Sequence, residues 1–209
     1  ENTWKGSRAG MVEDIEVTSS GKDISFTHQA RSLPWQVPEL MAEAPLKWGP
    51  SAPAQLGYDL TRAGHKLSAE RLRIAGLTPG TYELSIDGIR IDEFSHLALG
   101  SKVELQKYVH SPQSQQSLEV ALLNREKNDR IVRPIRDLWS RVKGLRNRKD
   151  PEAFAVEYPK LKNKIDLLAA TLPEYEERIR DAAQPKPRRY RLRRLEPAAT
   201  SEVRTPRDQ

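Results

Sequence analysis

Cysteine is absent from this chain of 209 residues, and aromatic residues make up only 6% of it. The lack of cysteine excludes disulfides and thiolate metal sites, although it says little about the cellular compartment. No apolar run approaches the ~18 residues of a membrane-spanning helix. The first residues, Glu1 to Trp4, have neither the basic start nor the apolar core of a secretory signal peptide. We therefore expect no membrane association.

The chain begins with Glu1 instead of methionine, so we expect a processed product or a fragment of a longer protein. Its length allows one domain with a good core or two small ones. Apolar residues account for 37% of the chain and charged residues for 31%. A large share of the chain is therefore expected to be solvated surface or extended helix.

The positive charge is concentrated near the C-terminus. Residues 184–209 carry eight basic and three acidic side chains, which accounts for five of the six net positive charges. A basic segment containing Tyr190 could bind nucleic acid by neutralising phosphates. The competing interpretation is a short strand that returns to a sheet, its arginines paired with acids such as Glu174, Glu176 and Glu177. Because the rest of the chain is nearly neutral, we favour the second interpretation and expect no nucleic-acid partner.

Residues 70–91 carry the clearest strand signal. Apolar and polar residues alternate on both sides of a Pro-Gly turn, which is the period of a strand with one buried face. The second run leads into Asp87-Gly88, a dipeptide favoured in two-residue hairpin loops. Across that loop we expect Ile86 to face Ile89, and Leu84 to face Ile91. Two further short strands are predicted within residues 11–35, and an irregular loop over 36–58.

Helical periodicity begins at Pro112. Ser111 and Pro112 form a suitable N-cap and first helical position, whereas Pro134 should kink or split the helix near Arg130. A second apolar stripe follows a connection at 146–151, and Pro173 begins a further short helix. The residues from Phe94 to Leu99 could form one helical turn that ends at Gly100.

Together these patterns predict an α+β fold. A small antiparallel β-sheet or half-sandwich is expected in a β-rich domain at residues 1–110, followed by a long, kinked helical hairpin at 111–183. The basic tail at 184–209 would either be disordered throughout or contain a short strand and then become disordered after Glu196.

Several short motifs follow one another in a fixed order: LxIxGLxPGxYxLxIDGxxI, FSxLAxG, Pro-x-x-x-Gln, and LLNREKND with a downstream Arg-x-x-Trp. This succession resembles the region that follows the catalytic domain in GDSL-type (SGNH) esterases of planctomycete bacteria. The match spans residues 11–195 and is strongest between 70 and 140. The matching residues are Leu72, Gly76-Leu77, Pro79-Gly80, Tyr82, Ile86-Asp87-Gly88, Phe94-Ser95, Leu97-Ala98, Gly100, Pro112, Gln116, Leu122-Leu123-Asn124, Lys127-Asn128, Arg136 and Trp139.

The blocks that perform SGNH chemistry do not occur in this sequence. Such an enzyme needs a serine nucleophile with its base, and preorganised donors for the tetrahedral intermediate. The chain has no Gly-Asp-Ser and no Asp-x-x-His, and the nearest approach is Glu93-Phe94-Ser95-His96. The resemblance therefore implies a C-terminal accessory region that carries no catalytic, cofactor-binding or metal-binding residue. Alone it should be inactive.

The same resemblance implies a partner and a location. The accessory region would pack on an SGNH hydrolase domain upstream in the parent chain and shape the rim of its active site. The parent reaction would be hydrolysis of an ester, such as an acyl group on a polysaccharide, and no cofactor is expected. The parent would be secreted or periplasmic.

Histidines, paired acids and tryptophans are the other functional candidates in the sequence. The four histidines, His28, His65, His96 and His110, lack metal-ligand spacing. The adjacent Asp92 and Glu93 are better explained as a solvated pair than as acid and base. Exposed tryptophans would instead favour a stand-alone polysaccharide-binding module, for which the candidates are Trp4, Trp35, Trp48 and Trp139.

Overall fold

The computed structural model describes residues 10–18, 23–35 and 68–196, together with 57, 60–62 and 66. They fall into two compact units. The first contains 10–18, 23–29, 70–105 and 187–196, and the second contains the described residues from 30 to 69 and residues 106–186. Almost all of the loop predicted over 36–58 lies outside the described residues. Residues 187–196 group with the strands and do not form a separate tail.

The first unit is built on a five-stranded antiparallel sheet with the strand order β1-β2-β7-β4-β5. A separate antiparallel pair, β3 and β6, lies in the same unit. In chain order the strands of the described residues are β1 (Gly10–Val17), β2 (Asp23–Ala30), β3 (Arg71–Leu72), β4 (Thr81–Ile86), β5 (Ile89–Ser95), β6 (Val103–Glu104) and β7 (Arg188–Arg194).

Strand β7 occupies the centre of this sheet. Its sequence alternates, so that Tyr190 and Leu192 are buried on one face while Arg189, Arg191 and Arg193 point to the other. On one side β7 pairs with β2, and on the other with β4. The predicted short strand in the basic segment is therefore present, and it supplies the middle of the core.

The β4–β5 hairpin has the expected loop but a different register. Asp87 and Gly88 both take positive φ, at +50° and +81°, as a type I′ turn requires. Ile86 faces Ile89 as predicted, whereas Leu84 faces Asp92 instead of Ile91. The expected Leu84–Ile91 pairing is wrong because a β-bulge inserts one extra residue in β5.

The helical turn after β5 is displaced from its predicted position. Strand β5 continues through Ser95, whose hydroxyl accepts a hydrogen bond from the Ala98 N–H and caps helix α1 (His96–Ser101). Gly100 therefore lies inside the helix and does not end it. The prediction failed because Ser95 provides an N-cap that a pattern of apolar residues does not reveal.

The second unit contains a long helical hairpin. Its first arm comprises α2 (Pro112–Lys127), a π-helical segment (Asn128–Val132) and α3 (Arg133–Asn147). The second arm comprises α4 (Pro151–Ala169) and α5 (Leu172–Ala182), and the helices pack as α3 on α4 and α2 on α5. No helix among the described residues is long and apolar enough to cross a bilayer. The predicted α+β class, with an antiparallel sheet and long helices, is confirmed.

Proline and polar caps shape this hairpin. Ser111 caps α2, as predicted, and Pro112 lies in its first turn. Upstream of Pro134 the helix widens into the π-helical segment, because proline lacks an N–H and its ring would collide with the carbonyl four residues earlier. The apolar stripes of α3 and α4 meet in a core formed by Val142, Leu161 and Ile165.

Gln116 ties the two arms together at their ends. Its buried side chain donates to the backbone carbonyls of Ala182, at 2.8 Å, and Gln184, at 2.6 Å. The first carbonyl belongs to the last residue of α5, where a helix leaves its C=O groups without intrahelical partners, and the second lies two residues beyond the helix. The side chain on α2 therefore caps α5 a few residues before the chain enters β7.

Two glycine-to-alanine substitutions should have opposite effects on stability. In Gly144→Ala, within α3, nothing lies within 4 Å of the added Cβ, and alanine lowers the cost of ordering a helix by about 1 kcal/mol. In Gly88→Ala the positive φ is unfavourable to an L-residue, at a cost of about 1–2 kcal/mol. Urea unfolding followed by circular dichroism measures both changes. A loss of stability in Gly144→Ala would contradict this account.

Candidate functional site

The arginines of β7 lie in a charged array on the outer face of the sheet. Arg189 pairs with Glu16 of β1, Arg191 pairs with Asp23 of β2 at 2.8 Å, and Arg193 pairs with Glu83 of β4 at 3.0 Å. The partners are therefore carboxylates of other strands of the same sheet, where acids of α5 were expected. Each exposed pair contributes only about 0–1 kcal/mol, but together they balance three of the five arginine charges of β7.

Asp87 joins the hairpin loop to the start of β7. Its carboxylate accepts from the backbone N–H of Arg189 at 2.8 Å and pairs with the guanidinium of Arg188 at 2.9 Å. The Asp87 N–H donates to the carbonyl of Arg189, also at 2.8 Å. The start of β7 is therefore held by specific bonds inside the fold, which weakens the interpretation of this part of the basic segment as a phosphate-binding arm.

The other candidates from the sequence do not converge on a reactive centre. Glu93 pairs with Arg90 at 2.7 Å, and the Asp92 carboxylate accepts from the Glu93 backbone N–H. The Nδ1 atom of His96 lies 3.2 Å from the Gly80 nitrogen. No group of three or more potential metal ligands occurs among the described residues. Trp35 and Trp139 are half-exposed, whereas His65, Trp4 and Trp48 lie outside the described residues.

A cleft of about 280 Å³ lies on the inner face of the sheet, wholly within the first unit. One wall comes from β1, β2 and β7, and the other from the segment 70–74, which includes β3. Leu105 completes the lining. Apolar side chains dominate this surface: Val12, Ile15, Phe26, Leu72, Ile74 and Leu105.

A bend in β1 directs its side chains toward the cleft. Asp14 has a positive φ of +51°, and the alternation of buried positions slips by one residue there, so that Val12 and Ile15 are both half-buried. The Asp14 carboxylate meanwhile accepts from the hydroxyl of Thr27 at 3.0 Å. The imperfect alternation of this strand therefore has a structural cause.

Three rings line the inner end of the cleft. The ring of Phe26 stacks on that of Tyr190 with centroids 5.0 Å apart, and the His28 ring meets Tyr190 edge-on at 5.9 Å. All three side chains occupy inward positions of two adjacent strands, since Phe26 is the register partner of Tyr190. Such offset and edge-on contacts contribute beyond simple area burial.

Two polar groups of the cleft, Tyr190 and His28, have shifted pKa values. The Tyr190 hydroxyl donates to Glu70 Oε1 at 3.4 Å. Burial, and then the nearby Glu70 carboxylate, raise the pKa of Tyr190 far above its ordinary value. Burial lowers the pKa of His28 below 6.5, and its Nε2 atom is shielded from solvent without a hydrogen-bond partner among the described residues. At neutral pH we therefore expect a protonated phenol and a neutral imidazole.

This chemistry suits non-covalent binding. The part of the lining that the structure describes includes no serine, threonine, cysteine or lysine, so it offers no aliphatic hydroxyl, thiol or amine for covalent catalysis. A mostly apolar cavity with a few converging polar groups is the common form of a small-molecule site. Sequence reasoning missed the cleft, although the alternation of Ile24, Phe26 and His28 was a usable signal that His28 faces inward.

His28 should make the first unit sensitive to mild acid. Its folded-state pKa lies below the unfolded value, so the unfolded chain binds more protons as the pH falls below about 6.5. Stability should therefore decline with acidification, and His28→Gln should reduce the decline between pH 7.5 and pH 5. Urea unfolding at each pH measures the free energy of unfolding. His110→Gln is the control, because His110 is exposed. An equal decline in His28→Gln and the unmodified chain would contradict the assignment.

Tyr190 should cause a loss of stability in alkali. Its folded-state pKa is raised, so above about pH 10 the unfolded chain releases a proton that the folded chain retains. The stability of the folded state should fall as the pH rises through 10 and 11. The stability of Tyr190→Phe should fall less, because this variant keeps the stacked ring but has no ionisable hydroxyl. Thermal unfolding across this range measures the difference, with Tyr158→Phe as the control in the other unit. Parallel curves for Tyr190→Phe and the unmodified chain would count against this expectation.

Comparison with known proteins shows that the fold of this chain is similar to part of one solved structure. No protein-family model and no curated protein matches this chain. Among solved structures it is similar to BT4096, described as a gut microbial diltiazem-metabolizing enzyme, with a TM-score of 0.64 and 23% sequence identity. The match covers 90% of this chain but only 46% of the enzyme. The chain therefore shares its fold with less than half of that enzyme.

Proposed function

We propose that this chain is the non-catalytic accessory region of an SGNH-type ester hydrolase, which packs against the catalytic domain and shapes the rim of its active site. The parent enzyme would be exported and would remove an acyl group from a polysaccharide. No cofactor takes part in this function.

The motif residues that carry the resemblance have structural tasks. Asp87 and Gly88 form the hairpin loop, and Asp87 also anchors β7. Gly80 lets Arg194 approach closely, since a Cβ there would lie 2.7 Å from its Nε atom. Gln116 caps α5. A set of motifs that specifies turns and caps is what an accessory fold requires, and it supports a role without chemistry.

The segment closest to a catalytic block also serves the fold. In Glu93-Phe94-Ser95-His96, the hydroxyl of Ser95 accepts from the Ala98 N–H at 3.1 Å, and Nδ1 of His96 lies against the Gly80 backbone. A nucleophile and base must instead face each other within hydrogen-bond reach and leave room for substrate. The engagement of Ser95 and His96 with backbone groups is the observation that carries the non-catalytic part of the proposal.

The structural comparison gives separate support. BT4096 is an enzyme, and more than half of its length lies outside the match. An accessory region joined to a catalytic domain would produce such a partial match. At 23% identity the comparison bears on the fold, so the assignment to ester hydrolysis depends on the motif succession.

The isolated chain should not hydrolyse p-nitrophenyl acetate above the rate in buffer. An SGNH esterase assayed in parallel is the positive control, and Ser95→Ala guards against a contaminating esterase. Turnover that a serine-directed inhibitor abolishes, and that Ser95→Ala also removes, would refute the proposal. Sequencing of the reading frame upstream of Glu1 is a second test, because the proposal requires Gly-Asp-Ser and Asp-x-x-His to be encoded there.

A further inference from the structure

We propose that the cleft between the sheet and the segment 70–74 binds a small, uncharged aromatic molecule that carries a hydrogen-bond donor, as a phenol does. This binding function is separate from the accessory role and does not depend on it.

The size of the cleft is suited to one ring. Its volume is about 280 Å³, whereas an apolar cavity of about 150 Å³ is already large enough to hold benzene. The remaining space would accommodate a short substituent. Because the cleft opens to solvent within one compact unit, a ligand of this size could enter without separating the strands.

The lining selects for an aromatic body. Phe26, Tyr190 and His28 present ring edges and faces at one end, while Ile15 and Leu72 lie on opposite walls. Aromatic rings prefer offset or edge-to-face contacts with other rings, and aliphatic side chains pack well against ring faces. Both kinds of surface are available in this cleft.

The polar groups select for a neutral hydrogen-bond donor. The Glu70 carboxylate is an acceptor, and its contact with the Tyr190 hydroxyl is long, at 3.4 Å. A ligand hydroxyl could donate to this carboxylate. The Nε2 atom of His28, which has no hydrogen-bond partner among the described residues, lies in the same lining. Arg71 and Arg73 also border the cleft, but both are exposed, whereas the Oε2 atom of Glu70 is shielded from solvent. An anionic ligand beside that carboxylate would be repelled, and an ammonium would lose more hydration on entering an apolar space.

Phenol, anisole and benzoate are probes that separate these features, because they share a ring but differ in donor and charge. We expect phenol to bind with a dissociation constant of about 1 mM. Anisole lacks the donor and should bind roughly threefold to tenfold more weakly. Benzoate should not bind measurably. Methyl NMR of the full chain would report binding through Ile15, Leu72 and Ile74, with Val156 of the helical hairpin as an unaffected reference.

Substitutions locate the site. Glu70→Gln keeps the shape and removes the charged acceptor, so it should lower the affinity for phenol by roughly threefold to tenfold while leaving that for anisole unchanged. Ile15→Trp should fill the cleft and abolish binding of both. Ile89→Trp is the matched control, because Ile89 is partly exposed on the opposite edge strand, β5.

The results that would overturn the proposal are distinct. Equal affinities for phenol and anisole would show an apolar cavity without donor recognition, and tighter binding of benzoate would show an anion site. Shifts confined to methyl groups outside the cleft, or none at all, would exclude a ligand of this class. Should Ile15→Trp fail to fold, Glu70→Gln still decides between recognition of a donor and simple apolar occupancy. Inactivity in the esterase assay would leave this test unaffected.

Discussion

The insertion of β7 between β2 and β4 is the constraint on which the first unit depends. Without β7, the two hairpin-derived parts of the sheet would have no hydrogen-bonded neighbour between them. Tyr190 and Leu192 lie opposite Phe26 and Ile24 on one side and opposite Ile86 and Leu84 on the other. A strand from the end of the chain therefore joins segments that precede it by roughly one hundred residues or more, a non-local contact whose loop entropy must be overcome before it stabilises the fold.

The helical hairpin accounts for much of the sequence separation between β4 and β7. A contact at its end also marks where the connection to β7 begins. Gln116 caps α5 close to the point where the chain leaves the hairpin, so the same glutamine both completes a helix and defines the start of the connection to β7. The buried amide has two carbonyl partners, which avoids the cost of an unsatisfied polar group. Pro134 is accommodated by a local widening of the helix, and the hairpin remains continuous through it.

The cleft follows from the same arrangement. Tyr190 reaches the inner end of the cleft because β7 is central, and His28 reaches it because β2 is the neighbour of β7. Val12 and Ile15 line the cleft because the bend at Asp14 turns both side chains toward it. The outer face meanwhile holds the arginines in pairs with strand carboxylates. Successive side chains of β7 therefore point to opposite faces of the sheet. The arginines lie in ion pairs on the outer face, and Tyr190 lies among the aromatic rings of the cleft on the inner face.

Local signals in the sequence were sufficient for the α+β class, the Asp87-Gly88 loop, the Ser111 cap and the helix irregularity just before Pro134, since each depends on residues within one turn or one hairpin. Alternation in the basic segment showed that a strand was possible there. The position of that strand, the bulge that moves Asp92 opposite Leu84, and the partners of Gln116 were decided only by the tertiary structure. These features arise from contacts between residues far apart in the chain, for which periodicity carries no information about which element will be the neighbour. The cleft is of the same kind, because its lining joins five separate stretches that meet only after β7 has entered the sheet.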